Sequence, residues 1–154
     1  MNNPSKFEYV GFWPRVGASL LDTIILLAII VPLMYLFYGD RYFYSTDSFL
    51  GSADVLINYI FPLIAILLFW TYKSATPGKM AIKAVIVDAD TGKQPTMKQY
   101  IIRYVGYFVS MLPFFVGIMW VGLDSKKQGW HDKMANTVVI RQQNHSVKNV
   151  KFSR

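Results

Sequence analysis

The chain has 154 residues, 53% of them hydrophobic and only 16% charged, which is too apolar for an ordinary soluble domain of this length. Its net charge of +7 would suit nucleic acid, but the basic residues flank long apolar blocks, the pattern of a membrane-bordering surface, so no nucleic-acid partner is expected. There is no cysteine and there are two histidines, which excludes disulfide and thiol chemistry and argues against a transition-metal site or any metal cofactor.

In chain order, Met1–Phe12 reads as a short polar leader ending in the aromatic YVGFW. The first apolar block, Val16–Gly39, follows Pro14, a residue suited to the first turn of a helix. Its run is much longer than a signal-peptide core and no small-residue cleavage site follows, so it is expected to stay as a membrane-spanning helix to about Tyr38. Asp22 is its only ionisable side chain. Arg15 lies seven positions earlier, on the same helical face about 10 Å away. A carboxylate inside a span is costly and normally faces a partner and marks function, so Arg15 is expected to neutralise Asp22. Gly17, Ala18 and Ser19 beside this face would let another helix come close. Tyr35, Tyr38, Tyr42, Phe43 and Tyr44 form an aromatic belt at the far surface.

The second block, Val55–Tyr72, reads as a returning helix that ends at Lys73. Asn58 and Pro62 are its only irregularities. After it, Met80–Val87 is rich in β-branched residues and Asp90-Thr-Gly92 supplies a turn; Thr137–Arg141 is a second strand candidate, and the two would pair into a small β element. Pro77-Gly78-Lys79 lacks the spacing of a phosphate-binding loop, and Asp88-Ala-Asp90-Thr-Gly92 lacks the bidentate glutamate of a calcium loop.

The third block, Tyr104–Leu123, conflicts with a simple count of spans. Loop Asp40–Asp54 holds three aspartates against Arg41, whereas Lys73–Arg103 holds six basic residues and the chain from Asp124 holds seven. Basic flanks stay cytoplasmic, so both chain ends and the middle segment belong inside and only the acidic loop outside. One crossing by the third block would put a basic segment on the wrong side. Met111-Leu-Pro113 offers a break, giving pieces of about 24 Å and about 15 Å, each short of a hydrocarbon core of about 30 Å. A re-entrant hairpin is therefore favoured over one kinked crossing. Gly106 and Ser110 offer a small-residue face for packing.

The expected fold is thus an all-α membrane protein with two transmembrane helices, a third broken or re-entrant helical segment and a small cytoplasmic β element. Residues 1–141 form the membrane domain and 142–154 a basic polar tail, expected to be disordered.

FWPR at Phe12–Arg15 followed by Asp22, TPGK at Thr76–Lys79 ahead of VIVDADTG, and WHDKMANTVV at Trp130–Val139 together resemble the RDD family of bacterial membrane proteins. The resemblance covers roughly Tyr9 to Ile140. It implies Arg15, Asp22 and Asp132 as the signature trio and an inner-membrane location. It also implies transport, with sodium/proton antiport proposed for some members. One guanidinium facing two carboxylates is a satisfiable network. Ser19 and Thr23 would support a monovalent cation or proton at Asp22, and His131 would assist beside Asp132. Two spans and a hairpin do not enclose a pathway, so a homo-oligomer is expected. The alternative is an accessory membrane protein in which the trio is a structural clamp. No activated nucleophile or acid/base pair is visible, so no enzyme is expected.

Overall fold

The computed structural model describes residues 7–142. The tail expected from residue 142 onward therefore lies, apart from Gln142, outside the described residues.

Strand β1, Phe7–Tyr9, leads almost directly into helix α1, Phe12–Tyr38. At 27 residues α1 is about 40 Å long, enough to cross a bilayer. Pro32 lies within it without ending it. Only Arg15, Ala18, Ile30 and Met34 are buried along α1, while Leu20, Ile24, Leu27 and Leu36 face outward as lipid-facing side chains do. A single helical turn, α2 (Arg41–Tyr44), follows at the far end.

The returning run comprises α3 (Ser52–Val55), a π-helical turn (Leu56–Ile60) and α4 (Phe61–Lys73). Pro62 explains the π turn: it has no N–H to give the fourth preceding carbonyl, and the ladder slips by one residue before resuming. Asn58, in that turn, donates to Asp54 Oδ1 at 2.6 Å. The run through Ser52–Ala81 is the second candidate span.

Helix α5 (Pro77–Ala81) then turns the chain into β2 (Ala84–Asp88). The Asp90-Thr-Gly92 turn closes as expected, with Asp88 Oδ1 accepting from the Thr91 N–H at 2.8 Å and Gly92 at φ +66°. The two expected strands pair: β3 (Thr137–Gln142) lies antiparallel to β2, from Ala84 opposite Arg141 to Asp88 opposite Thr137. β1 adds to the other side of β3, giving the order β1-β3-β2. This strand was not foreseen, because three residues of polar and aromatic type carry no readable alternation.

The third block is broken as its sequence suggests. Helix α6 (Met97–Met111) opens with a Thr96–Gln99 capping box and ends before Pro113. Phe114 and Phe115 both take positive φ to turn the chain, an uncommon state for bulky residues. Helix α7 (Val116–Met119) and a 3-10 turn (Trp120–Gly122) come back at 115° to α6. Helix α8 (Trp130–Met134) then packs on α6 and runs into β3.

Both ends of this segment lie at the sheet. Gln99, in the first turn of α6, donates to Asp88 Oδ2 of β2 at 2.6 Å, and β3 pairs with the same strand. Because β1, β2 and β3 form one sheet, the start of α1, the end of α4 and both ends of the third block share one end of the molecule. The third block follows the path of a hairpin. Val10, Trp70, Ala84, Ile86, Tyr100 and Val139 form the core that fixes this end.

The small-residue face at Gly106 and Ser110 is used inside the chain. A Cβ at Gly106 would press on the His131 backbone, and Ser110 is buried against Gly117 and His131. It is closed to a second copy.

The cysteine-free background makes the hairpin path directly testable. Single cysteines at Lys98 and Lys133 are expected to react with an impermeant thiol reagent from the same membrane side as one at Lys73, and from the side opposite one at Ser48. Labelling of Lys133→Cys from the Ser48 side would contradict the hairpin.

Candidate functional site

The polar residues of α1 fall on one stripe, Arg15, Ser19, Asp22 and Thr23, at helical spacing. Its two charged members do not partner each other. Arg15 turns toward the sheet, where its Nη1 meets Asp132 Oδ2 at 2.6 Å, its Nε donates to the Val10 carbonyl at 2.9 Å, and its Nη2 donates to the Lys127 carbonyl at 2.6 Å. Asp22 instead accepts from the Thr76 hydroxyl at 2.5 Å and the Gly78 N–H at 2.7 Å. The expected Arg15–Asp22 pair is therefore corrected: the N–H and hydroxyl of the Thr76-Pro-Gly-Lys79 turn take the place assigned to the guanidinium. Gly78 makes this possible, since a Cβ there would collide with the Ala18 carbonyl oxygen. The small residue Ala18 thus admits the close approach expected beside Arg15, and α5 is the helix that approaches.

The second cation at Asp132 is Arg103 of α6. Asp132 and Arg103 are both fully buried; Arg103 Nη1 pairs with Asp132 Oδ1 and donates to the Thr137 hydroxyl at 2.6 Å. The Arg103 guanidinium lies over the rings of Trp70 and Tyr107, with centroids 5.7 and 5.9 Å away. Asp132 Oδ2 also accepts from the Gly129 N–H at 3.0 Å, which starts α8. Two arginines thus face one carboxylate, in place of one arginine facing two.

Burial alone would raise the Asp132 pKa. The Arg103 and then the Arg15 guanidinium outweigh it and hold the carboxyl well below the ordinary carboxylate range. His131 goes the other way for a base: burial, opposed by Asp132 and reinforced by both arginines, lowers its pKa to about 3. At neutral pH Asp132 is ionised and His131 uncharged. His131 stacks on Tyr107 with ring centroids 4.0 Å apart, and its backbone N–H donates to Ser110 Oγ at 3.1 Å. The room for it comes from Gly106 and Gly129, where a Cβ would press against His131. These features make the Asp132 cluster a lock, with no proton to exchange near neutrality.

The rest of the stripe lines a cleft. One cavity, about 280 Å3, is bordered by Ser19, Asp22, Thr23, Thr76, Lys79 and Tyr107; a second, about 270 Å3, by Arg15, Ser19, Thr23, Lys79, Tyr107 and His131. Thr23 Oγ1 bonds back to the Ser19 carbonyl at 2.9 Å, so its remaining capacity toward the cleft is as an acceptor. Among the described residues no group of three or more His, Cys, Asp or Glu side chains is arranged to hold a metal ion.

Arg103, Lys79 and Tyr107 were not singled out from the sequence. Arg103 falls one residue outside the third apolar block and reads as a flanking cation, and Lys79 reads as part of a failed phosphate loop. The signal for Lys79 was its place in the TPGK motif of the resemblance.

Two apolar helical runs, a broken apolar pair and an arginine–aspartate lock against a three-stranded sheet define an α-helical membrane protein of a particular kind. Residues 9–136 match the RDD family, and the chain belongs to that family. It is similar, at 30% identity over 86% of this chain and 96% of the other, to an uncharacterized protein of Rickettsia prowazekii (strain Madrid E). No solved structure matches.

The lock predicts an acid-side loss of stability. The folded pKa of His131 lies below its ordinary 6.5, so protonation favours the unfolded chain; the contribution is whole above pH 6.5 and is lost as pH falls toward 3. Thermal melts of the detergent-solubilised protein from pH 7.5 to 4.5 are expected to fall increasingly steeply, by at most about 1.4 kcal/mol per pH unit from this group. His131→Gln should flatten that slope. An unchanged slope would show that His131 is not buried in its neutral form.

Proposed function

We propose that the protein is a bacterial inner-membrane transporter of an ion or small solute, and that the cleft beside Asp22 is its solute site. The observation that carries this reading is a half-buried carboxylate within a membrane-spanning helix, opening onto a cavity that also holds Ser19, Thr23, Thr76, Lys79 and Tyr107. The Arg15–Asp132–Arg103 lock supports it by fixing the cytoplasmic end of the cleft. Lys73, Lys79, Lys83, Lys93, Lys98 and Arg103 lie in the segment that holds β2 and the start of α6, and this basic excess supports a cytoplasmic side for the sheet end. Described side chains on two spans and a hairpin leave the cleft open between helices, so the working form is a homo-oligomer in the lipid bilayer. The resemblance-derived candidates, sodium or proton as the coupling ion, belong at Asp22.

A second reading has its own support. Both oxygens of Asp132 are ion-paired and both oxygens of Asp22 accept hydrogen bonds within the fold. That is the arrangement of a clamp, and it suits an accessory membrane protein whose sheet and basic tail dock another component.

Proteoliposomes separate the two. Reconstituted protein is expected to move at least one member of a panel of sodium, potassium, proton and phosphate gradients faster than empty vesicles. Asp22→Asn, which can still accept from Gly78 and donate to Thr76, should fold and cut that flux by roughly tenfold or more, the loss of one charged hydrogen-bonding group. Flux equal to empty vesicles across the whole panel would favour the accessory reading.

A further inference from the structure

The cleft has an electrostatic peculiarity. The two cavities adjoin, sharing Ser19, Thr23, Lys79, Tyr107 and Met111 as lining residues. Lys79 is only 5% exposed, yet among the described residues its ammonium has neither a hydrogen-bond acceptor nor an ion-pair partner. A largely enclosed ammonium without a direct partner favours an anionic group beside it.

None of the charged groups packed around it makes that direct contact. On α1, Asp22 is hydrogen-bonded by the neutral Thr76 hydroxyl and Gly78 N–H, which leave its charge in place, and Arg15 is turned to Asp132. On α6, Arg103 also pairs with Asp132. On α8, Asp132 is the only anion, and His131 is uncharged at neutral pH. Arg15, Lys79 and Arg103 therefore face Asp22 and Asp132, three positive charges against two negative, so the group around the cleft carries a surplus of one positive charge.

The same space offers the hydroxyls of Ser19 and Tyr107, and beyond them apolar walls made by Leu26, Ile66, Phe108 and Met111. A basic pocket between membrane helices near the cytoplasmic face is the setting in which anionic headgroups are recognised.

We propose that this cleft binds an oxyanion, a phosphate group, with Lys79 as its charge partner and Ser19 and Tyr107 as hydroxyl donors. Free phosphate and the headgroup of a phospholipid present the same oxygens; the apolar walls accommodate the acyl chain of the latter. The proposal builds on the reading of the cleft as the solute site and gives that solute a sign.

Binding is measured apart from flux. The full-length protein in a neutral detergent is titrated calorimetrically with inorganic phosphate. In parallel, native mass spectrometry records lipid retained after incubation with phosphatidylglycerol or with phosphatidylcholine. The expected result is saturable phosphate binding, or retention of phosphatidylglycerol over phosphatidylcholine. Either is weakened roughly tenfold or more by Lys79→Gln and largely kept by Lys79→Arg. Ser19→Ala, at an exposed position of α1, should fold normally and weaken binding severalfold, which keeps the test valid should Lys79→Gln fail to fold. Phosphate binding alone identifies a free solute, and lipid retention alone a bound lipid. Wild-type protein that takes up neither, or equal binding by wild type and folded Lys79→Gln, overturns the proposal. Binding without flux would sink transport and leave the oxyanion site standing. Flux without binding would do the reverse.

Discussion

The fold depends on one carboxylate held between two guanidiniums. Asp132 is fully buried, and an isolated ionised carboxylate in such a place would be prohibitively unfavourable. Arg15 and Arg103 make it tolerable, and each brings a different part of the chain with it. Arg15 carries the start of the first span and, through Val10 and Lys127, the end of β1 and the loop before α8. Arg103 carries the hairpin and, through Thr137, the first residue of β3. Desolvation makes this a poor source of net stability compared with an apolar core of the same volume. Its effect is on specificity: of the ways apolar helices can slide against one another in lipid, only one registers these three groups.

Glycines let the lock close. Gly106 and Gly129 bring His131 against the hairpin, and Gly117 brings α7 against Ser110 and Trp130. Gly78 does the same for the other carboxylate, letting the chain that leaves the second span lie on the Ala18–Asp22 turn of the first. Asp22 then acts as the acceptor that anchors α5, and this anchoring delivers Lys79 into the cleft. Lock and cleft are thus two uses of the same helix face. The first end of the stripe, at Arg15, is closed by the sheet, and the next two turns, Ser19 to Thr23, border open space.

Much of this was legible in the sequence, for definable reasons. Long uncharged runs fixed the two spans, because hydrocarbon admits little else. Pro113, within a block too short on either side to cross, pointed to the break, and β-branched runs beside an Asp-Thr-Gly turn gave β2 and β3. Arg15 and Asp132 meet as the resemblance implied. The partner of Asp22 was not legible. Helical spacing put Arg15 on the right face, but a seven-residue interval leaves about 10 Å to cover, and a backbone N–H from a distant turn leaves no mark in the sequence. Arg103 was hidden for a related reason: a cation at the edge of an apolar block looks like a membrane flank until the chain is seen to fold back over it.

Asp132 is the shared counter-charge of two buried arginines, and a double-mutant cycle in detergent measures that sharing. Asp132→Asn leaves both guanidiniums unmatched and is expected to lose about 3–5 kcal/mol of unfolding free energy. Adding Arg103→Gln removes one of the stranded charges, so the double variant should be no less stable than Asp132→Asn alone, a strongly non-additive cycle. Losses that simply add would mean that Arg103 and Asp132 do not share one buried ionic site, and the account of the fold would fail with them.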